Sequence, residues 1–206
     1  MNTPEPVVYV IDDDDAVRKS LTWLISSVDL NVKAYASATA FLSDCEKVQT
    51  GCLITDIRMP GLSGLDLQIE LERRGIDIPV VVISGHGDVQ TAVRAMKAGA
   101  FDFIEKPFND QLLLDLVHKA VSQSMSSSET HTQLAELQAR ENSLTPRELQ
   151  VLELIAMGEP NKSIGHSLEI SDKTVEAHRA KVMSKMKASS LAELVKMVLM
   201  LNGNEG

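Results

Sequence analysis

The first 125 residues alternate between short apolar runs and longer stretches in which apolar residues recur with helical spacing. The apolar runs predict five strands, at residues 7–11, 31–35, 53–55, 79–84 and 101–105. The stretches after them predict five amphipathic helices, the last at residues 112–121. Strands that are apolar throughout are typical of a buried parallel sheet, and regular alternation with helices indicates a doubly wound sheet. The pattern therefore predicts an α/β flavodoxin-like (βα)5 domain.

The residues after 142 show a second pattern, in which every predicted element is a helix. A helix start is indicated by Thr145 as N-cap, Pro146 at the first helical position and Glu148 three residues after the cap. Further helices are predicted at residues 161–168, 171–186 and 191–201. Four helices in this space, with a tight turn between the second and the third, fit an all-α helix-turn-helix module.

Between the two patterns the composition changes to a serine-rich stretch, Ser122 to Ser128, followed by polar residues with Leu134 and Leu137. We expect a helical linker that continues or follows the last helix of the first domain. Two leucines fall short of the several heptads of a coiled coil. The predicted division is residues 6–124, 125–142 and 143–202.

Charge is unevenly distributed along the chain, whose net charge is -9. Residues 1–125 carry 11 Lys and Arg against 18 Asp and Glu, whereas residues 143–206 carry 8 of each. Two modules with different partners are therefore expected. No stretch has the length of a membrane span or the shape of a signal peptide, and Cys45 and Cys52 form no metal-binding spacing. These features predict a cytoplasmic protein that does not contact membranes.

Polar and charged side chains follow the ends of four predicted strands: Asp12 and Asp13, then Asp56, Ser84 and Lys106. In the strand order 2-1-3-4-5 the first and third strands are neighbours, so three carboxylates would crowd one cleft. A hard divalent cation, Mg²⁺ with Mn²⁺ as the alternative, would relieve their repulsion. A carboxylate nucleophile beside a metal, a lysine and a hydroxyl suits transfer of a phosphoryl group to Asp56. Alternatively, Asp12 to Asp15 form an acidic loop that stabilises a helix N-terminus, which is the role expected of Asp14 and Asp15.

This combination resembles the receiver domain of two-component response regulators over about residues 6–124. The matching residues are Asp12-Asp13, Asp56 with Met59-Pro60 and Gly64, Ser84, and Lys106-Pro107. The resemblance implies that Asp56 is the phosphoacceptor and that the Lys106-Pro107 bond is cis. It also implies that Asp13, Asp56 and the Arg58 carbonyl bind Mg²⁺ directly and that Asp12 assists.

The same resemblance implies a switch in which phosphorylated Asp56 draws the Ser84 hydroxyl inward and frees space for Phe103. A plain core role for Phe103 is the alternative. Arg58 and His86 are the nearest candidates to flank the acyl phosphate and to influence its lifetime. The domain would be no enzyme beyond catalysing its own phosphorylation and slow dephosphorylation.

The third helix of the second module has two distinct sides. Its predicted buried stripe is Val175, His178, Val182 and Met186. The opposite side combines small and polar residues suited to base edges in a major groove: Lys173, Glu176, Ala177, Ala180 and Ser184. The flanks are suited to phosphates: Thr174, Arg179, Lys181, Lys185 and Lys187. A solvated helix face is the alternative.

The second module resembles the LuxR/FixJ-type DNA-binding domain over about residues 143–202. The matching residues are Leu144-Thr145, Arg147-Glu148, Gly158, Asn161-Lys162, and Ser171 with Thr174-Val175 and His178. The resemblance implies that bases are contacted by Glu176, Ala177 and Ala180, and the DNA backbone by Lys162, Lys173, Thr174, Arg179 and Lys181. Gly165 departs from the usual alanine, and Glu169 from a glycine that often takes positive φ.

Together the two resemblances identify a FixJ/NarL-type response regulator. It would receive phosphate from a cognate sensor histidine kinase, form a homodimer on phosphorylation, and bind double-stranded promoter DNA, with RNA polymerase as a further partner. An aspartyl-phosphate phosphohydrolase is one alternative, because Asp12 to Asp14 contains a D-x-D spacing. A constitutive DNA binder with a receiver used only as a scaffold is the other.

Overall fold

A computed structural model of the 206-residue chain describes residues 5–44, 48, 50–85 and 89–203. The chain divides into two compact units, Met1–Ser128 and Glu129–Gly206. In the first unit strands and helices alternate, in the order β1 (Val7–Ile11), α1 (Asp15–Ser26), β2 (Asn31–Tyr35), α2 (Ala38–Asp44), β3 (Gly51–Asp56), α3 (Gly64–Arg73), β4 (Val80–Ser84), α4 (Val89–Lys97), β5 (Asp102–Glu105) and the first part of α5 (Asp110–Asn142).

The five strands form one parallel sheet in the order β2-β1-β3-β4-β5. Because successive side chains of a strand point to opposite faces, the apolar runs supply two cores. One face packs Tyr9, Leu53 and Val82, and the other packs Val10, Ile54 and Ile83. Strands β1 and β4 are buried along their whole length, as their continuous apolar sequences predict. The predicted flavodoxin-like fold is confirmed.

Helix α5 is continuous from Asp110 to Asn142 and includes the serine-rich stretch. Ser124 is buried, and its Oγ accepts a hydrogen bond from the backbone N–H of Gly51 at 3.0 Å. Serine reduces helix propensity by only about 0.5 kcal/mol relative to alanine, so a cluster of serines does not by itself end a helix. The change in composition is therefore not a break in secondary structure.

The second unit contains the rest of α5 and four further helices: α6 (Pro146–Ala156), α7 (Asn161–Leu168), α8 (Asp172–Met186) and α9 (Leu191–Asn202). Thr145 and Glu148 form the predicted capping box at the start of α6. The unit has its own apolar core, which includes Leu152, Ile164 and Val182. No helix within the described ranges is long and apolar enough to cross a membrane.

Candidate functional sites

The sheet register brings Asp12 and Asp56 side by side. Ile11 of β1 pairs with Thr55 of β3, so the next residue of each strand is an aspartate at the same edge of the sheet. Lys106 follows β5 and its Nζ lies between them, 3.0 Å from Asp12 Oδ2 and 2.9 Å from Asp56 Oδ1. Three of the residues predicted from strand ends are thus in direct contact.

The charges of this cluster are largely removed from solvent. Asp12 is 3% exposed, and the side chain of Lys106 is 25% exposed. Burial lowers the pKa of Lys106, but hydrogen bonds and charge from Asp56 and Asp12 outweigh burial, so the pKa lies above its usual value. The ammonium therefore stays charged and stabilises two carboxylates that would otherwise repel each other.

Asp56 is held at the end of β3 by its own turn. Its Oδ2 accepts a hydrogen bond from the backbone N–H of Arg58 at 2.7 Å, while Oδ1 faces Lys106. Gly64 begins α3 directly behind it, and a Cβ at this position would lie 2.3 Å from the Asp56 carbonyl oxygen. Only glycine allows this approach, which explains why the sequence places a glycine eight residues after the aspartate.

The four consecutive aspartates after β1 have different surroundings. Asp14 is the N-cap of α1, because its side chain accepts from the backbone N–H groups of Ala16 and Val17. Asp15 forms ion pairs with Arg18 and Lys19. The helix-terminal role expected of Asp14 and Asp15 is confirmed. Asp12 instead is buried and faces Lys106.

Asp13 is exposed at the same end of β1. In the part of the chain that the structure describes, no group of three or more His, Cys, Asp or Glu side chains is arranged to hold a metal ion. The donors that do converge, Asp12 and Asp56, are hard carboxylate oxygens within 3.0 Å of one cationic atom. This donor set fits Mg²⁺, which needs few protein ligands because it keeps several waters.

The remaining predicted residues of this edge lie on β4 and β5. Ser84 ends β4 and is buried, and its carbonyl accepts from the Lys106 backbone N–H at 2.8 Å. Phe103 is partly buried and packs against the core on the α3 and α4 side of the sheet. The Lys106-Pro107 bond is cis, as expected. His86 lies outside the described residues.

Helix α8 presents the predicted side to solvent. Val175, Val182 and Met186 are buried, whereas His178 is only partly buried. The residues expected to face DNA are exposed: Lys173, Thr174, Glu176, Ala177, Ala180 and Lys181, together with Lys162 of α7. Arg179 is half-buried. The helix therefore offers a continuous polar surface with small residues at its centre.

The structure corrects the role predicted for Lys185. The sequence pattern places this residue among the flanks of α8 that are suited to phosphates. Its Nζ lies 2.7 Å from Glu148 Oε2 and 2.9 Å from the Ser143 carbonyl oxygen. Glu148 is 3% exposed and also accepts from the Thr145 backbone N–H. Lys185 therefore neutralises a buried carboxylate and fixes α8 against α6. Glu148 belongs to a capping box and Lys185 lies 37 residues later, so no local pattern in the sequence indicates that the two side chains pair.

Both departures from the family pattern lie in or against the turn between α7 and α8. Glu169 takes the left-handed conformation, with φ 53°. At Gly165 an added Cβ would lie 2.9 Å from the Ile170 carbonyl oxygen and 3.2 Å from Asp172 Oδ1. The close approach of the turn to α7 therefore favours glycine in this chain, a constraint that helix propensity alone does not reveal.

Family models match both units. Residues 8–118 match the response regulator receiver domain, and residues 142–198 match the bacterial regulatory proteins of the luxR family. The five-stranded fold with its acidic edge is therefore a receiver domain, and the four-helix unit with α8 is a luxR-type DNA-binding domain.

Known proteins share this organisation along nearly the whole chain. The chain is 49% identical over 193 residues to the transcriptional regulatory protein FixJ of Azorhizobium caulinodans, covering 94% of this chain and 92% of that protein. It is 46% identical over 196 residues to the response regulator protein TmoT of Ectopseudomonas mendocina, covering 95% of this chain and 89% of that protein. The solved structure of the response regulator StyR is similar, with a TM-score of 0.87 and 41% sequence identity. The similarity covers 94% of this chain and 98% of the StyR chain.

The chain belongs to the FixJ/NarL-type response regulators of two-component systems. It is a phosphorylation-controlled, DNA-binding transcriptional regulator that has a histidine kinase as its partner. It is a regulator and not a classical enzyme, which sets aside the phosphohydrolase alternative.

Proposed function

We propose that Asp56 accepts the phosphoryl group and that this modification controls DNA binding by α8. The observation that carries the proposal is the convergence of Asp12 and Asp56 on Lys106 Nζ at 3.0 and 2.9 Å. A carboxylate at a strand end, paired with a fixed cation, is a nucleophile whose developing product charge is already compensated.

In the transfer step a carboxylate oxygen of Asp56 forms a bond to phosphorus, and the bond from phosphorus to the donor nitrogen of the kinase histidine breaks. The electron pair of the broken bond returns to that nitrogen. Lys106 neutralises charge on the phosphoryl oxygens, and the Ser84 hydroxyl donates to one of them. Positioning and neutralisation are the main contributions a protein makes to this reaction.

Asp12, Asp13, Asp56 and the Arg58 carbonyl would hold a Mg²⁺ ion, or Mn²⁺ in its place. Such an ion, when bound, shields the negative charge of the incoming phosphoryl group. Asp12 already faces the cleft, and exposed Asp13 lies one residue further along. After transfer, Ser84 would move towards the phosphoryl group and Phe103 into the space it leaves. The domain would also catalyse slow loss of the group.

For DNA recognition, α8 would enter the major groove. Glu176, Ala177 and Ala180 would face base edges, because they combine a hydrogen-bond acceptor with small side chains that allow close approach. The sugar-phosphate backbone would be contacted by Lys162, Lys173, Thr174, Arg179 and Lys181. Exposure of α8 and a local charge of +3 over residues 171–187 support this assignment.

Phosphorylation would produce a homodimer, since two half-sites multiply the limited specificity of one short recognition helix. Bound at a promoter, the dimer would act on RNA polymerase in the cytoplasm. We assign residues 6–124 to the receiver domain, 125–142 to a helical linker and 143–202 to the DNA-binding domain.

The test is phosphorylation of the full-length chain by acetyl phosphate with Mg²⁺, followed by intact-mass and peptide mass spectrometry and by sedimentation. We expect one phosphoryl group on Asp56, a shift to dimer, and loss of both in Asp56→Asn. Asp77→Asn, which removes an exposed aspartate from the same unit, should behave as the parent chain. Modification of another residue, or equal dimerisation of Asp56→Asn and the parent, would overturn the proposal.

A further inference from the structure

One guanidinium group contacts the loop between β1 and α1 at several points. Arg18 Nη1 donates to the carbonyl oxygen of Asp12 at 2.8 Å and to that of Asp13 at 3.4 Å. Its Nη2 lies 2.7 Å from Asp15 Oδ1. These carbonyls follow the last residue of β1, where strand pairing no longer supplies donors to them.

We propose that Arg18 is a positioning residue that holds Asp12 and Asp13 in the orientation needed to bind the divalent cation. The inference rests on the proposed function, because it assigns the cation to that edge of the sheet. Lys106 fixes the Asp12 carboxylate on one side, and Arg18 fixes the backbone that carries it on the other. The side chain of Arg18 is 17% exposed, so most of it is packed in place.

Further hydrogen bonds of the loop connect the backbone bound by Arg18 to the carboxylate of Asp12. Asp12 Oδ1 accepts from the Asp14 backbone N–H at 2.9 Å, and the Asp14 side chain in turn caps α1. Arg18 closes the same loop from the next turn of α1. A metal ligand needs its orientation fixed by such outer contacts, and their loss commonly weakens metal binding about 10-fold or more.

Charge alone would act in the opposite direction. A cation beside a metal site repels the metal, so removing Arg18 would strengthen binding if its charge were its main effect. The ion pair with Asp15 compensates much of this charge. Positioning should therefore dominate, and the sign of the change in metal affinity separates the two effects.

Lys19 provides the matched control. It is the next residue of α1 and pairs with the same aspartate, Nζ to Asp15 Oδ2 at 2.7 Å, yet its side chain is 78% exposed. Lys19→Met removes the same charge from the same ion-pair partner and leaves the Arg18 bonds to Asp12 and Asp13 in place.

The experiment measures Mg²⁺ binding to the full-length chain by isothermal titration and exchange of the Asp14 amide by NMR without metal. Arg18→Met should bind Mg²⁺ about 10-fold more weakly and exchange the Asp14 amide faster, whereas Lys19→Met should match the parent. Arg18→Lys retains the charge but not the paired donors and should resemble Arg18→Met. Unfolding in urea verifies that each variant is folded.

Unchanged or tighter Mg²⁺ binding by a folded Arg18→Met would overturn the inference, as would an equal loss in Lys19→Met. Failure of the parent chain to bind Mg²⁺ would instead contradict the proposed metal site. The amide exchange of Asp14 is read without metal, so it tests the hold on the loop even in that case.

Discussion

The proposed phosphate contacts of the DNA-binding domain make a quantitative prediction about salt. Four cations are assigned to the DNA backbone: Lys162, Lys173, Arg179 and Lys181. Each contact releases counterions and contributes about -0.9 to the slope of log K against log salt, so four give about -3.6 per bound chain. Between 50 and 200 mM salt, affinity should fall by about 150-fold.

Replacing Lys181 removes one contact. Because Lys181 is exposed and forms no hydrogen bond or ion pair with the described part of the chain, Lys181→Ala should leave the domain folded. The slope should become about -2.7, and the loss over the same salt range should be about 40-fold. Lys185 is predicted not to contribute, because its Nζ is already paired with Glu148 Oε2 at 2.7 Å.

Fluorescence anisotropy with a labelled duplex that carries a single half-site measures the slope for one bound chain, using the full-length chain treated with acetyl phosphate. Lys196→Ala is the control, since it removes an exposed charge from α9 and should keep the parent slope. An unchanged slope in Lys181→Ala, or an equal reduction in Lys196→Ala, would refute the assignment of α8 to the DNA backbone.

Three further predictions concern stability of the second unit. The hydrogen bond from Lys185, with those from Thr145, lowers the pKa of Glu148 from 4.5 to about 2, so stability present above pH 4.5 is lost as the pH falls towards 2. Urea unfolding should show a shallower acid loss in Glu148→Gln than in the parent. Gly165→Ala should lower the free energy of unfolding by about 1 kcal/mol. The added methyl group gains about 1 kcal/mol in helix propensity, but crowding against the Ile170 carbonyl outweighs this gain. Increased stability would contradict this prediction. Glu169→Gly should raise the free energy of unfolding by about 1 kcal/mol, because glycine adopts the left-handed conformation without strain. Urea unfolding measures this change as well, and a loss of stability would exclude such strain.

The sequence predicts the fold well because the apolar runs and the strand ends carry nearly all the required information. Parallel strands end at the same edge of a sheet, so the sequence alone predicts that Asp12, Asp56 and Lys106 lie close together. Strand β3 begins two residues before the predicted start, because Gly51 and Cys52 do not continue an obvious β-branched run.

Long-range side-chain pairing could not be predicted in the same way. Nothing in the local pattern distinguishes Lys185, which neutralises buried Glu148, from Lys181, which is exposed on α8. The role of Arg18 depends on the path of the loop after β1, and it lies among helix positions that look like an ordinary charged surface. Such roles follow from three-dimensional distances and not from spacing along the chain.

The most direct test of the whole account is the affinity of the full-length chain for DNA of its own promoter region, with and without acetyl phosphate, in the parent and in Asp56→Asn. Phosphorylation should strengthen DNA binding of the parent chain and leave that of Asp56→Asn unchanged. Equal strengthening in Asp56→Asn, or parent binding that phosphorylation of Asp56 leaves unchanged, would contradict it.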